Sequence, residues 1–503
     1  MNIMKKKGGG CVVGKKIVLI LIDSLMPHIL REAQERELVP ALSLMMSRGA
    51  YWNNCATIFP TMSASVDASL ITGVYPEEHR IPGLVWYSRK ERRIVNYING
   101  SKSVWRIGVK KCTQDVLIEM NEKHMSRDVS TLFEEVTRRG KTSASFNFAA
   151  HRGPHYYRVQ KPGLSKLFLA GLLSAQVSGP EICTVGKFID STFLRSLRWN
   201  FSHTIFHKYG LNDRFAVDAV CKLIREGKLP HVTFVYMPDM DYAYHRNPER
   251  GPQILARADR YIQRLLDSFG NADEAFKQCK FIVVGDHGQT KIGIEKEATI
   301  NVEQHLLGMK IARAENIQPE IDDIVICNNE RMCYFYPLKE GVQQETVKRL
   351  LMDLRIDILA WKEGRGVWIG HGGQTLFFAP GQDIHDQYGR QWKAKGDFSI
   401  IDAVLGENPE DGTPVISFGR YPDLFSRLYG ALYAQEGEVI VATAQPGCEF
   451  FTPSDPVHRG GASHGSLHEM DSIVSLIITD ESPDRFSKPR IVDIKSYILR
   501  DLC

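Results

Sequence analysis

The 503-residue chain lacks a strong excess of charge of either sign. Its formal net charge is +4, and 24% of its residues are charged. Binding to a nucleic-acid polymer or an anionic membrane surface usually requires a much larger basic excess. We therefore expect neither as a partner. A hydrophobic content of 43% is typical of a globular enzyme, and the length predicts a large domain with insertions.

Paired cysteines and long hydrophobic runs are also lacking. The ten cysteines are scattered without a Cys-x-x-Cys pair, which argues against a disulfide framework and favours a reducing compartment. The charged segment Met1–Lys7 is followed by Gly8–Gly10, and the apolar run Ile17–Ile22 is only six residues long. We therefore predict no signal peptide and no transmembrane helix, a cytoplasmic location, and a flexible N-terminus over residues 1–14.

What the chain does contain is a set of apolar runs that end in acidic or imidazole side chains. Continuous β-branched runs predict buried parallel strands, and open α/β sheets place their ligands at the carboxyl ends of such strands. Aspartate oxygen and histidine nitrogen are common ligands of zinc-type metals. The side chains that follow these runs are Asp23, Asp241 with His245, and Asp286 with His287.

Each of these signals also has a structural alternative when it is taken alone. Asp23 could cap the following helix, and Asp286-His287 could be a hydrogen-bonded loop between Gly285 and Gly288. Asp241 and His245 would share one face of a helical turn, but this spacing also arises by chance. The case for a site depends on their occurring together.

A hydroxyl-rich segment and a third imidazole complete the set. The stretch Phe59–Gly73 predicts a turn into a helix, with Thr61 and Ser63 near its start. Either hydroxyl could be an N-cap, or could lie in the positive field of a helix N-terminus, which favours an alkoxide or a bound phosphoryl group. His464 precedes Gly465, Ser466 and the last predicted strand.

Between residues 289 and 459 the pattern changes from alternating strands and helices to hairpins. We predict an inserted α+β cap subdomain there, within an α/β core formed by residues 15–288 and 460–503. Polar loops are expected around residues 381–389 and 406–412. Residues 160–210 are harder to interpret and could form a helical insert.

The motifs occur in one order and together resemble the alkaline phosphatase superfamily, specifically its type I phosphodiesterase/nucleotide pyrophosphatase family. The resemblance covers most of the chain, with residues 288–460 only loosely matched. The motifs are the strand ending at Asp23, Phe-Pro-Thr-x-Ser…Thr-Gly-x-Tyr-Pro-x-x-His from Phe59 to His79, Pro-Asp-x-Asp-x-x-x-His, Gly-Asp-His-Gly and His-Gly-Ser.

The resemblance implies a central, mostly parallel sheet sandwiched by helices, and two divalent metal ions. One ion would be held by Asp241, His245 and His464. The other would be held by the nucleophile and three further ligands, namely Asp23, Asp286 and His287. The nucleophile falls on Ser63, with Thr61 as the alternative. Mixed His and Asp ligands favour zinc, and manganese is the alternative.

The implied function is hydrolysis of small-molecule phosphate esters, most specifically by a phosphodiesterase/pyrophosphatase mechanism with a covalent phosphoserine. Two departures bear on specificity: Leu84 stands where nucleotide-hydrolysing members carry Asn, and Arg80 replaces the usual Gly. The alternatives are a phosphomonoesterase, another ester hydrolase or mutase of the superfamily, and a non-catalytic metal- or phosphate-binding protein. A sulfatase is disfavoured because no cysteine lies between Phe59 and Gly73.

Overall fold

The computed structural model describes residues 14–99, 101–160, 175–190, 210–409, 412–453 and 455–502. In chain order the described strands are β1 (Lys16–Ile22), β2 (Gly49–Ala56), β3 (Val85–Ser88), β4 (Arg93–Asn96), β5 (Ser143–Phe146), β6 (His155–Arg158), β7 (Gln176–Gly179), β8 (Ile182–Val185), β9 (Ile189–Asp190), β10 (Val232–Met237), β11 (Cys279–Gly285), β12 (Thr290–Lys291), β13 (Thr299–Asn301), β14 (Ile324–Asn329), β15 (Met332–Pro337), β16 (Ile356–Glu363), β17 (Gly366–His371), β18 (Gln374–Asp386), β19 (Gln391–Gly396), β20 (Ala403–Glu407), β21 (Pro414–Phe418), β22 (Ile440–Ala444), β23 (Glu449–Phe451), β24 (Ala462–Ser463) and β25 (Ile473–Thr479).

The central sheet has the strand order β2-β25-β11-β1-β10-β5-β8-β9. Its middle is parallel, because β1 pairs in parallel with both β10 and β11, and β5 pairs in parallel with β10 and β8. The margins are antiparallel, through β25 against β11 and β2, and β9 against β8. The expected mostly parallel α/β sheet is therefore confirmed.

Helices cover both faces of this sheet, as the apolar runs predict. Alternate residues of β1 point to opposite sides: Val18 and Ile20 join one core, and Leu19 and Leu21 join the other. The α-helices described are α1 (Pro27–Glu35), α2 (Pro40–Ser47), α3 (Ser63–Thr72), α4 (Pro76–His79), α5 (Ser101–Ile107), α6 (Val109–Gln114), α7 (Leu132–Arg138), α8 (Asp213–Arg225), α9 (Asp239–Tyr244), α10 (Gly251–Asp267), α11 (Ala272–Gln278), α12 (Val302–His305), α13 (Val342–Leu350), α14 (Leu424–Tyr433), α15 (Glu469–Ser472) and α16 (Asp493–Asp501), and Asp115–His124 is a π-helix. Helices α1, α2, α8 and α10 contribute to the first core, and α3, α7 and α16 to the second.

A second sheet is built from strands of the 324–444 segment, in the order β14-β15-β22-β16-β17-β18-β21-β20, with β19 on the edge of β18. Its pairings are antiparallel except for β18 with β21. Helix α14 packs on one face and α13 on the other, in two separate cores. The hairpin β14–β15 is the strand pair of this sheet that reaches the candidate site.

One of the two polar loops expected in this part of the chain is wrong. The loop predicted at 381–389 is in large part the end of strand β18, which is irregular between Pro380 and Ile384. This stretch is polar because only Ile384 and Asp386 of its strand residues are buried. In the loop predicted at 406–412 the first two residues belong to β20, and the other described residues connect β20 to β21.

The predicted helical insert at 160–210 lies mostly outside the described residues, as does the N-terminal segment 1–14 apart from its last residue. Within that insert, the described residues 175–190 carry strands β7, β8 and β9 rather than helix. The cysteines of the described chain are free thiols. Among the helices described, none has both the length and the apolar character needed to cross a membrane.

Candidate active site and metal centre

The site lies where the three central parallel strands β1, β10 and β11 end. In the sheet register, Ile22 at the end of β1 lies opposite Met237 of β10 and Gly285 of β11. The residues that follow, Asp23 and Asp286, therefore emerge side by side. Helix α9 starts immediately after β10 and carries Asp241 on its first turn.

Asp23, Asp286 and His287 form one buried set. His287 Nε2 lies 3.4 Å from Asp23 Oδ1 and 3.4 Å from Asp286 Oδ2. Both of these carboxylate oxygens are buried and have no hydrogen-bond donor in the structure. The other oxygens are held in place: the Tyr236 hydroxyl donates to Asp23 Oδ2, and the Ser24 and His287 N–H groups donate to Asp286 Oδ1. Two carboxylates thus share one corner with one oxygen of each left unpaired.

Electrostatics disfavours an uncompensated negative charge in this corner. Burial, reinforced by the neighbouring Asp241 and Asp286 carboxylates, raises the pKa of Asp23 well above its ordinary value. A shift in this direction means that the uncompensated charge is unfavourable.

Ser63 is the first residue of helix α3, and its Oγ lies 3.4 Å from His287 Nε2. It therefore joins the two unpaired carboxylate oxygens around the same imidazole nitrogen. Thr61, the alternative nucleophile, is fully buried, and its hydroxyl donates to the Ser466 carbonyl and accepts from the Gly465 N–H. The structure thus gives the two hydroxyls different surroundings: Ser63 faces the cluster, and Thr61 ties two loops together.

Asp241, His245 and His464 form an adjoining set. Asp241 Oδ1 lies 3.3 Å from His245 Nε2 and 3.7 Å from His464 Nε2. In each ring Nδ1 lies 2.7 Å from a backbone carbonyl, that of Ala462 for His245 and that of Thr61 for His464. These contacts assign the proton to Nδ1 and leave Nε2 free to act as a ligand, an arrangement usual for metal-binding histidines.

Charge coupling within this set is strong. Burial would lower the pKa of His245, but Asp241 and Glu330 outweigh it and raise the pKa to about 10. Burial would raise the pKa of Asp241, but His245 and then His464 lower it below its ordinary value. For His464, burial and the neighbouring His287 lower the pKa. In the absence of a cation, a proton on His245 supplies the positive charge that the carboxylates require.

Glu330 is a site residue that sequence reasoning missed. It lies at the tip of the β14–β15 hairpin, and its Oε2 is 3.8 Å from His464 Nε2. Burial would raise its pKa, but His464, His245 and His458 lower it to about 2. A polar Asn-Asn-Glu-Arg turn between two apolar strands gives no signal of burial, because such turns are usually exposed.

The two sets are in direct contact. The rings of His287 and His464 stack with centroids 3.7 Å apart. Ser24 Oγ donates to Asp241 Oδ1 at 3.1 Å, and the Gln289 amide donates to the same oxygen at 2.6 Å and to Ser24 Oγ at 3.0 Å. Ser24 and Gln289 thus link the ends of β1 and β11 to helix α9, and neither was predicted.

The predicted ligands lie close enough together to hold a metal ion. Ligand atoms around a tetrahedral zinc ion are about 3.3–3.6 Å apart, close to the 3.3–3.7 Å spacings in both sets. Within the described chain, the ion-pair partners of these carboxylates are histidines rather than lysine or arginine. Among the residues that the structure describes, three overlapping groups could hold a metal: Asp23 with Asp286 and His287, Asp241 with His287 and His464, and His245 with Glu330 and His464.

The two family departures, Leu84 and Arg80, have different surroundings. Leu84 is the start of a segment held by the hairpin, since the Leu84 and Val85 N–H groups donate to Asn329 Oδ1 at 3.0 and 2.8 Å. The Arg80 guanidinium donates instead to the Tyr433 carbonyl and is exposed. Arg80 is therefore placed toward α14 rather than the Asp and His sets.

This fold and this order of motifs define a hydrolase of the alkaline phosphatase superfamily. The family model described as "Type I phosphodiesterase / nucleotide pyrophosphatase" matches residues 17–354, about two thirds of the chain. The chain belongs to the type I phosphodiesterase/nucleotide pyrophosphatase family. No curated protein sequence matches it significantly.

Solved structures share the fold at low sequence identity. Murine ectonucleotide pyrophosphatase/phosphodiesterase 5 matches with a TM-score of 0.57 and 13% identity, covering 97% of this chain and 95% of that one. An inactive variant of that murine protein in complex with AMP matches with a TM-score of 0.55 and 14% identity, with the same coverage. Phosphonoacetate hydrolase from Sinorhizobium meliloti 1021, in complex with phosphonoacetate, matches with a TM-score of 0.58 and 15% identity, covering 98% and 96%.

Proposed function

We propose that this chain is a metal-dependent hydrolase of phosphate esters that acts on diesters, with Ser63 as its nucleophile. The observation that carries the proposal is the arrangement around His287 Nε2. Ser63 Oγ and one unpaired oxygen each from Asp23 and Asp286 lie 3.4 Å from that nitrogen. A hydroxyl beside two uncompensated buried carboxylate oxygens is a suitable place for a cation and a nucleophile.

One cation would be held by Asp241, His245 and His464, and the other by Asp23, Asp286, His287 and Ser63. When bound, the two cations supply positive charge that stabilises the transferring phosphoryl group; zinc suits the mixed ligands, with manganese as the alternative. The protein's own groups orient these ligands. Tyr236 orients the Asp23 carboxylate. The Ala462 carbonyl orients the His245 ring, and the Thr61 carbonyl orients the His464 ring.

In the proposed reaction Ser63 Oγ loses its proton to solvent and forms a bond to phosphorus, and the bond from phosphorus to the ester oxygen of the leaving group breaks. The leaving oxygen departs with the electron pair and takes up a proton from solvent, which balances the one that Ser63 released. Water then cleaves the phosphoserine and restores the hydroxyl. Ser63 starts a helix of ten residues, so the positive end of that helix faces the phosphoryl oxygens.

Ser63 is preferred over Thr61 because of what each hydroxyl already does. Thr61 accepts a hydrogen bond from Gly465 and donates to Ser466, so attack would require breaking both contacts. Ser63 is partly exposed at the cluster, where a substrate can reach it.

The substrate class rests on the family and on its AMP-bound structural relative, which support a small nucleotide-type diester or pyrophosphate. Leu84 replaces the family Asn that contributes to phosphoryl binding in nucleotide-hydrolysing members. We therefore expect the protein to hydrolyse simple aryl diesters and to show little preference for a particular base.

The test compares hydrolysis of an aryl phosphodiester, an aryl phosphate monoester and a dinucleotide, each with and without chelator. Ser63→Ala should abolish turnover while two zinc ions per chain remain bound, and Thr61→Ala is the matched control that should retain measurable turnover. Turnover that survives Ser63→Ala but is lost in Thr61→Ala would reverse the assignment. No chelator-sensitive hydrolysis of any ester would refute the enzymatic function.

A further inference from the structure

The hairpin tip that carries Glu330 has an unusual backbone. Asn329 and Met332 pair across β14 and β15, which leaves Glu330 and Arg331 as the two turn residues. Glu330 has φ +63°, in the left-handed region where hairpin turns normally use Gly, Asn or Asp. Such strain in a residue with a long side chain persists only where the surroundings impose it, and it is concentrated at functional sites.

Both neighbours of Glu330 fix its position. The Asn329 side-chain amide exchanges hydrogen bonds with the backbone of Leu84 and Val85. The Arg331 N–H donates to the His464 carbonyl at 2.9 Å. Gly465 fits against this tip, since a Cβ there would lie 2.6 Å from the Asn329 carbonyl oxygen.

The carboxylate itself faces the metal set rather than solvent. Glu330 Oε2 accepts from Ser463 Oγ at 2.8 Å and from the His464 N–H at 3.4 Å, and lies 3.8 Å from His464 Nε2. Its ligand atoms and those of His245 and His464 all lie within 4.8 Å of one another. A turn glutamate would ordinarily be exposed, but Glu330 is only 9% exposed.

On the basis of the proposed function, we propose that Glu330 is a fourth protein ligand of the cation held by Asp241, His245 and His464. The ligand atoms of Glu330, His245 and His464 form one group. Asp241 Oδ1 lies 3.3 and 3.7 Å from the Nε2 atoms of the same two histidines. The second sheet thus adds a carboxylate to ligands that come from α9 and from the turn after β24.

Glu330 also changes the charge of the loaded site. With Asp23, Asp241 and Asp286 it gives four carboxylates, which carry as much negative charge as two divalent cations carry positive. Its carboxylate therefore weakens the attraction of the loaded site for the second negative charge of a phosphate monoester.

The first test measures zinc binding to the metal-free full-length protein by competition with a chromophoric chelator, without substrate. Glu330→Gln should lower the affinity for one of the two bound zinc ions by at least about tenfold. The matched control is Glu449→Gln, a buried glutamate that contacts His458 rather than the ligand atoms; it should leave both affinities unchanged. Ser463→Ala removes the hydroxyl that donates to Glu330 and should lower the affinity for the same zinc ion.

Unchanged zinc affinities in Glu330→Gln, with the fold retained by circular dichroism, would overturn the proposal. If Glu330→Gln does not fold, Ser463→Ala decides: a lower affinity for one zinc ion supports the ligand role, and no change refutes it. The second test compares kcat/KM for aryl mono- and diesters, where Glu330→Gln should shift the ratio toward the monoester by about tenfold or more. An unchanged ratio would overturn the charge argument. A wild-type chain that binds zinc through Glu330 but hydrolyses no ester would refute the proposed function alone.

Discussion

Arg331 offers a quantitative test of how the second sheet is fastened to the active site. Its guanidinium is fully buried and lies 2.5 Å from the equally buried Asp471 carboxylate. It also donates to the Thr290 hydroxyl and to the carbonyls of Ala444 and Cys448. One side chain therefore connects strand β22 of the second sheet with β12 and with α15, the helix immediately before β25.

The perturbation is Arg331→Met, which keeps much of the side-chain volume and removes the charge. Asp471 would then be a buried carboxylate without its cation, still receiving hydrogen bonds from the Ser466 N–H and the Thr290 hydroxyl. Removing one partner of a buried ion pair typically costs about 3–5 kcal/mol. Because two hydrogen bonds remain on Asp471, we expect the lower half of that range, about 3–4 kcal/mol.

The assay is urea unfolding of the metal-free protein at constant pH, followed by tryptophan fluorescence and circular dichroism. The double variant Arg331→Met/Asp471→Asn is the informative control. It should be less destabilised than Arg331→Met alone, because the uncompensated charge is gone. A loss below about 1 kcal/mol in Arg331→Met, the size typical of an exposed pair, would refute the reasoning. The reasoning would also be refuted if the double variant lost as much stability as the single variants Arg331→Met and Asp471→Asn lose together.

Two further predictions concern residues around the site. Burial lowers the pKa of His79 to about 3 from 6.5, so the unfolded chain takes up this proton first and the fold loses about 2 kcal/mol between pH 7 and pH 5 through this group. Urea unfolding at both pH values should show that His79→Gln lacks this part of the pH dependence. Tyr236→Phe removes the hydroxyl that donates to Asp23 and should weaken zinc binding by about 10- to 100-fold, measured by chelator competition.

The pKa of His79 is lower in the folded chain than in the unfolded one. Its contribution to the free energy of unfolding is therefore intact above pH 6.5 and is lost as the pH falls toward 3. An equal pH dependence in wild type and His79→Gln would contradict it. For Tyr236→Phe the control is Tyr51→Phe, whose hydroxyl contacts Ser475 away from the site. Equal zinc affinities in Tyr236→Phe, Tyr51→Phe and wild type would show that Asp23 needs no orienting donor.

The core of the site could be predicted from sequence because strand register places it. The apolar runs of β1 and β11 are continuous, so both are buried parallel strands, and their last residues, Ile22 and Gly285, lie opposite each other. That pairing alone makes Asp23 and Asp286 neighbours. The strand order of the second sheet could not be predicted in the same way. Strand β22 lies between β15 and β16 in the sheet, although it begins about 80 residues after β16 in the chain.

Glu330 shows why the remainder of the site required the structure. Its burial comes from Arg331, which joins Asp471 to the hairpin, and from Gly465, which allows the tip to approach His464. Sequence periodicity detects neither cause, since both depend on residues far along the chain: Gly465 and Asp471 lie 135 and 141 residues downstream of Glu330. A polar turn becomes part of the candidate site here because a buried ion pair holds it against the core. The same reasoning makes Arg331 a positioning residue for Glu330. Arg331→Met should therefore lower the affinity for the same zinc ion as Glu330→Gln does.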